Sequence, residues 1–211
     1  LKSLIDPKFN HLKCNDKEEI TYKVIERNEK INLFKNEKFL GSWGKEKMHE
    51  FQGKVSMELT SFFHGMSDSD WTAVFHGSTL FSGNNCLMLT GDSGSGKSSL
   101  SAILMANDFA LIADDFSPMD DKGIHYNFPS AISIKEGFYS VAKKLYKSFS
   151  ELNEYYINDI KGNVKYLADN RDKSVLKSSC NTILNVKFGS DLKNEIKAIN
   201  KGKALEKILP D

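Results

Sequence analysis

Long apolar runs are missing from this 211-residue chain: none approaches the roughly eighteen residues that a membrane span requires. The first residues also lack the apolar core of a signal peptide, and the chain begins at Leu1 and not Met, which leaves its ends open to further sequence. Cysteine is scarce. Cys14, Cys86 and Cys180 stand far apart with no C-x-x-C pair, so no disulfide framework or zinc site is expected, and a reducing cytoplasm is the expected compartment. Charge of one sign is lacking too: 29 basic against 28 acidic side chains leave a net charge of +1, which argues against binding nucleic acid by bulk electrostatics. What remains, 40% apolar and 11% aromatic residues, describes a globular chain long enough for one main domain with a small appendage.

The chemistry-bearing stretch is Cys86-Leu87-Met88-Leu89-Thr90 running into Gly91-Asp92-Ser93-Gly94-Ser95-Gly96-Lys97-Ser98. An apolar strand leads into the pattern G-x-x-x-x-G-K-S, and Ser99-Leu100-Ser101-Ala102-Ile103-Leu104-Met105-Ala106 follows with helical character. Glycines let successive backbone N–H groups turn inward around an anion. Lys97 can reach the outer phosphates, Ser98 and Ser99 open the helix, and the helix N-terminus turns its positive end toward the phosphates. The expected ligand is ATP with Mg2+, contacted by Gly91, Asp92, Ser93, Gly94, Ser95, Gly96, Lys97, Ser98 and Ser99.

Around that stretch the chain reads as two regions. Residues 1–66 form a small β-rich N-terminal region: strands over 19–24, a hairpin of 30–34 with 38–43, and a further strand over 54–60, where Val55, Met57 and Leu59 alternate. Residues 67–211 form the main α/β domain. Its expected elements are an apolar strand over 73–81 that pairs with 86–90, a helix to about Asn107, and a strand over 109–113 that stops at Asp114-Asp115. A helix is expected from Ser133 to about Asn158, a weakly patterned loop over 155–179, a strand over 182–188 and helical segments between Leu192 and Leu209. An apolar strand ending in carboxylates one crossover from the glycine-rich loop is where open α/β sheets build their sites. One aspartate would join Ser98 in holding magnesium, and the other could accept the proton of an attacking hydroxyl.

The run His76-Gly77, a turn, Leu87 to Ser98, one helix, and Leu111-Ile112-Ala113-Asp114-Asp115 resembles the core of the HPr kinase/phosphorylase group. These are serine kinases with a P-loop core and a fold similar to that of phosphoenolpyruvate carboxykinase. The match covers about residues 71–116. The resemblance implies a mixed sheet, Asp114 as the base on an acceptor serine, Asp115 toward the metal with Ser98, His76 beside the aspartates as an electrostatic tuner, Lys97 on the phosphates, and homo-oligomers. Ser99 stands where the family usually has an acidic residue, and the N-terminal region differs, so a serine of some protein, peptide or small molecule other than HPr is the expected acceptor. The family also places an arginine near the phosphates, and of Arg27 and Arg171 only the latter lies in the domain. The alternative is a nucleotide-binding or ATPase module without transferase activity that regulates a partner. An ABC-type ATPase is disfavoured because no Leu-Ser-Gly-Gly-Gln signature occurs, and an adenylate-kinase-like enzyme because two arginines do not make an arginine-rich lid.

Overall fold

Short strands and helices alternate along the chain to give a mixed α/β protein with four sheets and a β-rich N-terminal part among the described residues. The computed structural model describes residues 7–14, 19–157, 159, 161–169, 177–189, 191–193 and 195–208. Two units divide it: Lys13–Ser69, and Leu1–Leu12 together with Asp70–Asp211. The division expected at residues 66 and 67 thus lies three residues later. The leading residues join the second unit because Ala131 N–H donates to the Lys8 carbonyl (2.9 Å) and Phe9 packs edge-on against Phe128, centroids 5.7 Å apart.

The smaller unit is an antiparallel meander, β1 (Tyr22–Arg27), β2 (Lys30–Lys35) and β3 (Lys38–Gly44), with a helix α1 (Met48–His64). Both hairpins turn on two residues with positive φ, Asn28-Glu29 at 52° and 59° and Asn36-Glu37 at 45° and 68°. That geometry matches the twist of the strands it joins. The strand expected over 54–60 is instead the middle of α1. Alternation within seven residues also fits i, i+3, i+4 spacing, and the longer series Met48, Phe51 and Val55 packs on Ile31, Leu33 and Trp43 as a helical face. Gly65, at φ 62°, ends α1, its N–H donating to the Phe62 carbonyl while Met66 N–H donates to that of Ser61.

In the larger unit the strand expected over 73–81 is broken at His76-Gly77 into β4 (Trp71–Phe75) and β5 (Ser78–Ser82), which enter different sheets. β4 pairs with β8 (Ser117–Asp120), which is followed by β9 (Ile124–Tyr126) and β13 (Lys177–Ser179). β5 lies in the sheet that carries the glycine-rich loop, between β6 (Asn85–Thr90) and β7 (Ala110–Ala113), with β14 (Thr182–Asn185) on the far side of β6. β5 runs antiparallel to both neighbours and β14 runs parallel to β6, so β6, β7 and β14 end on one edge of the sheet. The core beneath joins Leu80, Leu87, Leu89 and Leu111 to Ala102 and Met105 of helix α2 (Lys97–Met105).

The long helix expected from Ser133 is confined to α3 (Tyr139–Leu145). Before it, Ile132 and Ile134 are buried at alternate positions on β10 (Ile132–Lys135), and after it the Tyr146 backbone turns extended while its hydroxyl donates to the Ala102 carbonyl (2.5 Å). The stretch from 155, expected as a loop, instead pairs β11 (Glu154–Tyr156) with β12 (Asn163–Leu167) beside β10. Toward the C-terminus the helical expectation reduces to α4 (Lys201–Glu206). No described helix is long and apolar enough to cross a membrane.

Candidate functional site

The glycine-rich loop bridges β6 and α2, and its turns depend on glycine at two points. Gly91 has φ 136°, and a Cβ there would stand 2.4 Å from the Val186 carbonyl; Gly96, the residue before α2, has φ 96°. Ser95 N–H donates to the Asp92 carbonyl (3.1 Å), closing the loop on itself. No side chain caps α2, so the first amides of this nine-residue helix have no intrahelical acceptor. The Ser95 hydroxyl is buried without a hydrogen-bond partner and lies 2.9 Å from where a Gly91 Cβ would be, on the inside of the loop. A buried hydroxyl left unpaired is costly unless something else supplies its partner.

Lys97 is buried, its ammonium folded across the loop to donate to the carbonyls of Gly91 (2.6 Å) and Asp92 (3.0 Å). Lysine is rarely buried without such partners. One residue on, the Ser98 hydroxyl reaches the Asp114 carboxylate, 3.3 Å to Oδ2 and 3.5 Å to Oδ1. Ser78 Oγ donates to Asp114 Oδ1 (2.8 Å), and Ser101 Oγ donates to Ser78 Oγ (2.7 Å). Asp114 therefore receives Ser98 of α2 directly and Ser101 of α2 through Ser78 of β5. Burial and the neighbouring Asp115 push its carboxyl up to about 7, against the pull of the Ser78 and Ser98 hydrogen bonds and the Lys8 charge.

The other expected residues are placed differently. Asp115 turns off the end of β7 at φ 63°, half-buried, and its charge contributes to raising the Tyr166 hydroxyl, whose shift is chiefly a matter of burial. It is Asp114, not Asp115, that Ser98 contacts. His76 stands exposed on the bend between β4 and β5, and among the described residues no hydrogen bond or ion pair joins it to either aspartate. Its neighbour Gly77 is packed so closely that a Cβ would meet the Leu89 carbonyl at 2.6 Å, which holds the bend against the strand feeding the loop. Asp92, Ser93 and Gly94 form the exposed crest of the loop, and Ser99 lies half-buried on α2. Arg171 lies outside the described residues.

Ser78 and Ser101 were not foreseen. The signal for Ser101 lies in its position one helical turn after Lys97, whose carbonyl stands 3.0 Å from the Ser101 hydroxyl. Ser78 gave a weaker one, a buried hydroxyl opening an apolar strand. A cavity of about 510 Å³ lined by His11, Met105, Tyr146, Tyr155, Tyr166 and Asp169 lies toward the Met105 end of α2, the end away from the loop. The polar groups described above converge at the loop and not at that cavity.

Ser98 and Asp114 offer two oxygen donors of the kind that Mg2+ accepts beside phosphate oxygens and water, so the donor set fits that ion. Among the described residues no cluster of three or more His, Cys, Asp or Glu side chains could hold a metal on its own. No protein-family model matches the chain, and no curated protein matches it.

Proposed function

We propose that the protein binds a magnesium nucleoside triphosphate at loop 91–98 and transfers the γ-phosphoryl group to a serine hydroxyl, as an HPr-kinase-like, P-loop serine kinase. The observation that carries the reading is the convergence of the buried Lys97 ammonium, the unpaired Ser95 hydroxyl and the Ser98–Asp114 contact on one loop. In this reading the loop amides and Lys97 hold the β- and γ-phosphates. Lys97 would exchange its two carbonyl partners for phosphate oxygens, and Ser95 would gain the acceptor it lacks. Bound Mg2+ would supply charge neutralisation on the transferring group.

The contacts favour exchanging the two aspartate roles that the family resemblance implies. Asp114, buried and bonded to Ser98, is the better metal-side group; Asp115, half-buried at the strand end, is the better base. The acceptor oxygen would attack the γ-phosphorus, the bond to the β,γ-bridging oxygen would break to release the diphosphate, and the hydroxyl proton would pass to Asp115. The acceptor is a serine of a protein, peptide or small molecule, and neither a nucleic acid nor a membrane is invoked.

The test measures nucleotide affinity with and without magnesium, together with transfer of labelled γ-phosphate to free serine, serine peptides and cell extract. Asp115→Asn should keep magnesium-dependent binding and lose transfer, Asp114→Asn should lose the magnesium dependence, and Lys97→Ala should lose most binding. Full transfer by Asp115→Asn would refute the base assignment. One observation favours the alternative, a nucleotide-binding module without transferase activity: His76 is exposed and makes no hydrogen bond or ion pair with the aspartates. Tight nucleotide binding with no labelled acceptor in extract would decide for it.

A further inference from the structure

The end of β14 is strapped onto Thr90, where β6 gives way to the glycine-rich loop. Val186 N–H donates to the Thr90 carbonyl (2.7 Å), and Asn185 Nδ2 donates to Thr90 Oγ1 (3.3 Å). Two residues further on, Phe188 brings its Cβ to 3.4 Å from where a Cβ on Gly96 would stand, so its root touches the loop at the start of α2. Yet the side chain is 80% exposed. In this unit the exposed aromatic side chains among the described residues are Tyr156 and Phe188, and Tyr156 donates its hydroxyl to the Asp159 carboxylate. Phe188 alone of the two presents a ring with no partner, and it does so beside the loop whose buried Ser95 hydroxyl also lacks one.

We infer that Phe188 is the platform on which the base of the nucleotide stacks, so that this site is built for a base-bearing phosphate and not for bare polyphosphate. The inference rests on the reading of loop 91–98 as the phosphate site. A phenyl ring anchored at its Cβ and free at its face can meet a base without hydrogen-bond registration. Its contribution is then confined to the base: the phosphates are held by the loop amides, Lys97 and Ser98, none of which contacts Phe188 through a side-chain hydrogen bond.

The experiment compares the affinities of ATP and inorganic tripolyphosphate, each with magnesium, by calorimetry for the wild type, Phe188→Ala and Phe188→Trp. Because stacking on an aromatic is worth about 1–3 kcal/mol per base, Phe188→Ala should weaken ATP by ~5-fold to ~150-fold. Tripolyphosphate affinity should stay within ~2-fold in the same variant, since a loss confined to stacking leaves the phosphate contacts intact. Phe188→Trp should restore ATP binding, with a fluorescence change on adding ATP that tripolyphosphate does not produce and the wild type does not show. Wild-type ATP affinity in Phe188→Ala, or equal weakening of both ligands, would overturn the proposal while leaving the loop reading standing. A wild type that binds neither ligand would overturn the loop reading, and this proposal with it.

Discussion

Acidification should destabilise the protein through His125, and the size of the effect follows from where the imidazole sits. His125 is buried on β9, its Nδ1 2.9 Å from Ser117 Oγ, which lies 2.6 Å from Thr79 Oγ1 on β5; this relay links the two sheets that flank the His76-Gly77 bend. The groups facing the ring are Phe75, 5.7 Å between centroids, and the Asp120 carboxylate, whose charge is too weak to offset burial; the pKa is pushed down to about 4. The unfolded chain therefore binds one more proton than the folded one between about pH 4 and 6.5, and stability rises with pH across that window. Its contribution is complete above the unfolded value and is lost as pH falls toward the folded one. At 1.36 kcal/mol per pH unit the whole window corresponds to roughly 3 kcal/mol, of which about 2 kcal/mol is gone by pH 5. Urea unfolding of wild type and His125→Asn at intervals from pH 4.5 to 7.5 isolates the term, because titrating carboxylates common to both cancel in the difference. The wild-type midpoint should fall toward the variant's by about 1 M urea between pH 7 and 5. Parallel curves for the two proteins would refute the assignment of the buried neutral imidazole.

Gly91→Ala should disable the loop, since its φ of 136° and the Val186 carbonyl 2.4 Å from the added carbon leave no room to relax, whereas Gly94→Ala, with φ 84° and nothing within 4 Å, meets only backbone strain. We expect Gly91→Ala to lose nucleotide binding in calorimetry and Gly94→Ala to lose about 1–2 kcal/mol of stability at most; wild-type binding by Gly91→Ala would contradict the close packing. In the smaller unit Glu58 is buried between Lys54 (2.8 Å) and Lys35 (3.1 Å), whose charges and hydrogen bonds hold its carboxyl low against the opposing effect of burial. Glu58→Ala leaves Lys35 without its carboxylate while Lys54 keeps Asp68 (2.8 Å), and should cost about 1–2 kcal/mol in denaturant unfolding, less than the loss expected for a fully buried pair; a change below about 0.5 kcal/mol would place it among ordinary surface substitutions.

The β5–β6 hairpin, the loop, α2 and the strand ending at Asp114 were legible because each is written in contiguous residues: an apolar run, spaced glycines, one helical face, an apolar run stopped by acid. α1 was not, because seven alternating residues fit two periods and only its packing against Leu33 and Trp43 decides between them. The parallel pairing of β14 with β6 joins residues about ninety positions apart, and no local signal encodes it. A separation of 58 residues likewise hid Asp169, whose Oδ2 accepts from the Leu111 N–H at the start of β7. At the site, residue types were readable but partners were not. Adjacent aspartates differ in their contacts according to which one the backbone turns toward Ser98, and the positive φ of Asp115 is what separates them.

The antiparallel strand between β6 and β7 explains why hydroxyls from both β5 and α2 meet on one carboxylate. A strand running opposite to its neighbours brings its first residues, not its last, to the edge where they end, so Ser78 arrives beside Asp114 while Thr90 hands over to the loop. Inserting it also spaces the loop strand and the aspartate strand two positions apart, roughly 10 Å at ordinary inter-strand distances. Ser98 closes that gap from the first turn of α2, which crosses above β5 and is tied to it by the Ser101–Ser78 hydrogen bond. In an all-parallel sheet the edge would receive strand ends only, and the bend at His76-Gly77 would lie on the opposite side. Here the bend shares the edge, with Gly77 against the Leu89 carbonyl. The exposed imidazole of His76 thus stands on the same rim as the loop, with no hydrogen bond or ion pair to either aspartate.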